Sequence, residues 1–224
     1  MKKYTILFGA VCAVILAFSQ NAKADLFNSL INTPNDAISG FTGPYGSVDV
    51  NLTSSTTASI TFTSLTANGN IYLFGGVNAV DLNVNASGFT VGTITGTNAG
   101  TGFTPGPLSN GGSGNVDGLG IFNLTVNSFD GFTHSSDTVT FDLTNTGGTW
   151  ASAADVLAFN SNGFDAAMHV YVTSSPADAS NGAIATGFAG EGPSGHVPDG
   201  GATAALLGLG LAGLAGIRAR FGRN

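Results

Sequence analysis

The chain of 224 residues is poor in basic side chains, cysteine and tryptophan, and each shortage closes off a class of function. Only six residues are Lys or Arg: Lys2, Lys3 and Lys23 near the start, Arg218, Arg220 and Arg223 at the end. Between Asp25 and Val197 the only basic side chains are His134, His169 and His196, yet every acid except Asp199 falls there, a formal charge of −12 with neutral histidines. Such a surface cannot neutralise phosphates by releasing counterions, so nucleic-acid binding is excluded. Docking on anionic lipid through basic side chains goes with it. Divalent cations and cationic surfaces remain permitted partners, and the plainer role of the charge is to keep an exported protein soluble.

The single cysteine, Cys12, lies in an apolar leader. A chain without its leader has no disulfide, no thiolate metal site and no cysteine nucleophile. Stability must then come from an ordinary core, which a domain of this size can supply.

What the two ends contain is more specific. Met1-Lys2-Lys3, the apolar run Tyr4–Phe18 and the small residues of Ala22-Lys23-Ala24 have the order of a secretory signal peptide. The expectation is a leader over 1–24, export by the Sec machinery, and cleavage by signal peptidase after Ala24 to leave Asp25 as the new terminus. At the other end Val197-Pro198-Asp199-Gly200-Gly201 is a turn sequence, read as an exposed, extended, protease-accessible linker. The uncharged stretch 202–217 follows, then a basic tail over 218–224. Hydropathy and the flanking arginines predict one transmembrane helix over 202–217, with the tail in the cytoplasm and the preceding domain outside.

Pro-containing motif, Gly/Leu/Ala-rich segment and Arg cluster, in that order at the extreme C-terminus, resemble the PEP-CTERM sorting signal. VPDGG is similar to its VPDSG-type variant, with Asp199 where many members carry Glu. The resemblance implies that an exosortase, a membrane-embedded cysteine transpeptidase-like enzyme, cuts near the motif. It also implies an exopolysaccharide or biofilm setting. The expected itinerary is export, transient inner-membrane anchoring, then the cell surface or extracellular matrix. The segment from Asp117 to His169 also resembles a run recurring in PEP-CTERM ectodomains, which carries no assigned chemistry.

Residues 25–196 read as one all-β domain, an antiparallel β-sandwich or jelly-roll-like ectodomain. Val48/Val50/Leu52, Ala58/Ile60/Phe62, Val80/Leu82/Val84, Phe122/Leu124/Val126 and Val139/Phe141/Leu143 alternate with polar residues. That period of two marks strands with one face on a core and one on water. The glycine-rich stretch from Thr95 to Gly120 has no apolar period and is read as a long loop. One helical turn is expected near Ser152–Asp155.

Candidate sites in this domain are sparse. His134 with Ser135, Ser136 and Asp137 has the residue types of a hydrolytic triad, but triads assemble from distant segments and no G-x-S-x-G elbow is present. Asn115–Gly118 and Asp130-Gly131 carry oxygen ligands suited to calcium, although Asp-Gly is first a turn dipeptide. His169 shares a strand face with Tyr171 and has no second histidine at metal spacing. Trp150, with Tyr45, Tyr72 and Tyr171, is the candidate for stacking against a sugar. No catalytic or metal-ligating residue is assigned. The reading is a non-enzymatic, exosortase-processed structural or adhesive protein, with a carbohydrate-binding module and then an envelope hydrolase as alternatives.

Overall fold

Val, Ile, Phe and Thr dominate the alternating runs, and β-branched and aromatic side chains suit a half-buried pleated surface. The computed structural model describes residues 25–192 and, as backbone, residues 196–197. In chain order the strands are β1 (Asp25–Ile31), β2 (Thr33–Pro34), β3 (Gly46–Ser54), β4 (Thr57–Ser64), β5 (Thr66–Ala67), β6 (Asn70–Phe74), β7 (Val80–Leu82), β8 (Phe89–Val91), β9 (Thr95–Thr97), β10 (Ser109–Val116), β11 (Gly120–Asn127), β12 (Thr138–Asn145), β13 (Ala166–Ser174), β14 (Ala185–Glu191) and β15 (His196–Val197). They form two sheets. The first has seven strands in the order β15-β1-β3-β4-β12-β8, with β9 also on β12. The second has eight, ordered β10-β11-β7-β13-β14-β2, with β6 on β13 and β5 on β6. Every strand pairing is antiparallel, an all-β arrangement consistent with a β-sandwich.

The alternation read from the sequence supplies the main core. Val48, Val50, Ile60, Phe62, Val139, Phe141 and Leu143 come from the first sheet; Val80, Leu82, Leu124, Val126, Met168, Val170 and Val172 come from the second. A smaller cluster forms where Val116, Leu119, Phe122 and Ala167 pack with Phe164 and Phe188. Turn chemistry sets the registers. Asn68-Gly69 joins β5 to β6 with both residues at positive φ (51° and 80°), the geometry of a two-residue type I′ hairpin.

Four expectations are corrected. The first is the transmembrane helix. Among the described residues no helix is long and apolar enough to cross a membrane; the helical elements there are three-residue 3₁₀ turns. The stretch 202–217 lies outside the described residues, as do the leader 1–24 and most of the motif. Its 16 residues fall short of the ~20 that a span needs and include four helix-weakening glycines. Transient inner-membrane anchoring therefore loses its support.

Second, 95–120 is not one long loop: it contains β9 and β10, the latter paired to β11 with two register shifts. An edge strand open to water on both faces needs no apolar period, so SNGGSGNV gave no signal. Third, the expected helical turn is a 3₁₀ turn, Ala153–Asp155, and its free N–H is capped from across the fold. The Ala153 N–H donates to Asp25 Oδ2 at 2.6 Å, while Ser152 Oγ donates to Asp155 Oδ2. Fourth, Val197 is paired backbone: β15 lies on β1 with Asn28 opposite Val197 and Ser29 opposite His196.

Candidate functional site

Trp150 is core. Its side chain is 3% exposed and its Nε1–H donates to the Asn85 carbonyl at 2.8 Å, so the indole offers no open face to a sugar. Tyr45 and Tyr72 are equally buried and pack against each other, tilted by 55° with ring centroids 4.8 Å apart. The sequence could not make this distinction, because a lone Trp serves a core and a binding face equally well.

The hydrolytic arrangement does not assemble. His134 Nδ1 is engaged with the Thr104 carbonyl at 2.9 Å. The Asp137 carboxylate accepts from Thr97 Oγ1 and from the Ala99 N–H. Ser135 and Ser136 are buried, and their hydroxyls have no hydrogen-bond partner among the described residues. Base and orienting acid are thus bonded to different neighbours, and neither reaches a serine hydroxyl.

Asn115 and Val116 end β10, and Asp117-Gly118 lie in the turn of the β10–β11 hairpin, with Gly118 at φ 79° and the Asp117 carboxylate accepting from Asn35 Nδ2. Among the described residues no three His, Cys, Asp or Glu side chains come close enough to hold a metal ion.

The sequence placed His169 and Tyr171 on one strand face; the structure extends that pair into an aromatic strip on the outer face of the second sheet. His169, on β13, stacks on its cross-strand neighbour Phe188 with ring centroids 4.3 Å apart and an interplanar angle of 21°. Two residues along the same strand face, Tyr171 lies 5.2 Å from His169 at 28°. Phe132 meets Tyr171 edge-on at 6.1 Å, and Phe103 meets Phe132 at 5.2 Å. Phe129, in the turn before Phe132, packs against His134 at 4.8 Å while remaining 56% exposed.

Backbone brings these segments together. The Ser128 N–H donates to the Gly76 carbonyl at 2.8 Å, drawing the turn against the segment after β6. That segment runs flush over the tyrosine: a Cβ on Gly75 would collide with Tyr171 Cε2. His169 Nδ1 faces the Val77 carbonyl at 3.1 Å. Burial holds the imidazole below its usual pKa, and because a carbonyl can only accept, Nδ1–H is the donor. Burial first, and the charge of Asp130 second, push the Tyr171 phenol up. The hydroxyl therefore stays protonated, and it lies beside Gly76.

A second feature hidden from sequence is a set of buried acids. Asp81, on β7 between Thr125 and Ala167, is 1% exposed, and neither carboxyl oxygen is bonded among the described residues. Burial alone lifts its pKa well above the usual carboxylate range. Asp165 is pushed up to about 9 by burial, then by a hydrogen bond with Glu191 and that residue's charge. The folded domain is consequently less negative than a formal count of acids gives.

At the C-terminal end, residues 196–221 match the VPDSG-CTERM motif family. The chain thus carries a VPDSG-CTERM sorting motif, an exosortase-substrate signal of the PEP-CTERM kind, starting where β15 begins. No curated protein and no solved structure matches the chain.

Proposed function

We propose that this is an exported, exosortase-processed protein of the cell surface or extracellular matrix, with a structural or adhesive role among exopolysaccharide. The observation that carries the reading is the sorting motif at 196–221, whose first two residues, His196 and Val197, form β15 at the edge of the β-domain. Signal peptidase removes the leader after Ala24, and exosortase cuts within Pro198–Gly201. The basic tail, Arg218 to Arg223, leaves with the discarded end. What travels on is a domain with no Lys or Arg between Asp25 and Val197, kept apart from anionic surfaces and from its own copies by charge.

Intact mass spectrometry on envelope and medium fractions of the native host tests this. A species beginning at Asp25 and ending between Pro198 and Gly201, absent from an exosortase-deficient strain, is the expected result. A chain running through to Asn224 in both strains refutes exosortase processing.

A further inference from the structure

The strip on the second sheet has the makings of a binding site that the sorting motif does not account for. Three kinds of group converge there. Phe129 presents an open ring, 56% exposed, and Val77 beside His169 is 64% exposed. Asp130 is an exposed carboxylate two residues after Ser128, whose N–H is bonded to the Gly76 carbonyl beside His169 and Tyr171. The Tyr171 side chain is 8% exposed, and its hydroxyl, a donor, lies beside Gly76 at the edge of the strip. We propose that this strip binds a neutral polysaccharide, the C–H face of a sugar ring stacking on Phe129 while its hydroxyls bond to the Asp130 carboxylate and the Tyr171 O–H.

Charge selects the ligand. Asp130 repels a uronate or sulfate at the site, and the described residues contain no Lys or Arg to receive one. A second copy of the chain is disfavoured for the same reason, since each brings an acidic domain without a counter-charge. An added peptide strand is disfavoured too, because β13 is interior to its sheet, flanked by β7 and β6 on one side and by β14 on the other. Sugar rings meet the chemistry: an apolar face for the aromatic ring, and hydroxyls that both donate and accept.

The site is also held in place before any ligand arrives. Tyr171 is fixed from above by the Gly75-Gly76 backbone, from the side by His169 and from the edge by Phe132. Rigid rings limit the ordering that binding must impose, which matters for a ligand whose individual contacts are weak. The inference does not depend on the sorting reading, and its test uses the purified full chain irrespective of processing.

Native affinity electrophoresis separates the alternatives, with gels containing hydroxyethylcellulose, glucomannan, galactomannan or dextran as neutral probes, alginate as the anionic probe, and a soluble oligolysine in a separate arm. Retardation by at least one neutral polysaccharide is expected, weakened about tenfold in Phe129→Ala, the scale of one lost aromatic contact. Tyr171→Phe, which deletes only the hydroxyl, and Asp130→Asn should each weaken it several-fold. Phe159→Ala removes an exposed ring elsewhere (44% exposed) and should leave it unchanged. Unaltered Trp150 emission verifies that each variant is folded. The proposal is overturned by no retardation in any neutral gel, by retardation in alginate alone, or by neutral retardation that Phe129→Ala does not change. Oligolysine binding without glycan retardation would assign the face to a cationic partner instead and overturns it equally.

Discussion

Asp81 shows at the scale of one residue how the fold couples to pH. Its folded pKa lies above the unfolded value. Such a group gives its full contribution to stability below the unfolded pKa and loses it as pH rises through the folded one. Asp165, pushed up to about 9, acts with the same sign. The window therefore opens near the unfolded carboxylate value of about 4 and extends to about 9. The denaturation midpoint should fall steadily between pH 5 and pH 9. Asp81→Asn should be more stable than wild type at pH 8 by roughly 1–3 kcal/mol, the scale of burying an uncompensated polar group. Guanidinium titrations at pH 4 and pH 8, read by Trp150 emission, measure the gap, and an equal gap at both values contradicts the account. Trp150 is the other residue whose role burial decides. Trp150→Ala should cost about 3–5 kcal/mol as a large core truncation. Thermal unfolding followed by circular dichroism gives the loss, and a near-neutral result would return the indole to the surface.

Among elements, the strands with an apolar period of two were legible in advance. Those around Val50, Ile60, Leu124 and Phe141 each turned out to bury one face in the core. Strand β10 was not, because a glycine-rich edge strand takes its order from β11 and not from its own side chains. Strand β15 was hidden for a related reason: its two residues are strand only because β1 offers an edge. An engineered disulfide tests that register, aided by the lack of any cysteine after Cys12. Asn28→Cys with Val197→Cys should close without free thiols under oxidising conditions, as directly opposed strand positions lie within disulfide reach. Leu30→Cys with Val197→Cys should stay reduced, and thiol titration after air oxidation compares the two. Equal oxidation of both pairs would show that β15 has no fixed register.

For the whole molecule, the sequence exposed its ends and concealed its binding face. The sorting motif is contiguous and could be read directly. The aromatic strip draws on residues near 76, 130, 170 and 188, brought together by strand order that no local pattern encodes. The missing Lys and Arg have a further molecular effect. Trypsin should leave the segment 24–218 as one fragment even from fully denatured protein, because no cleavable bond lies within it. Gel and mass analysis after digestion in urea checks this, and any internal tryptic fragment would contradict it. A last consequence is mechanical and follows from β15. Tension applied through the C-terminal segment first meets the Asn28–Val197 pair, then Ser29–His196, each broken in turn. Only after both pairs are broken does the pull reach Glu191, the first of seven paired positions joining β14 to β13, and again from its end. A protein fastened by this tail would yield like a zipper at low force, lengthening before the main core is loaded.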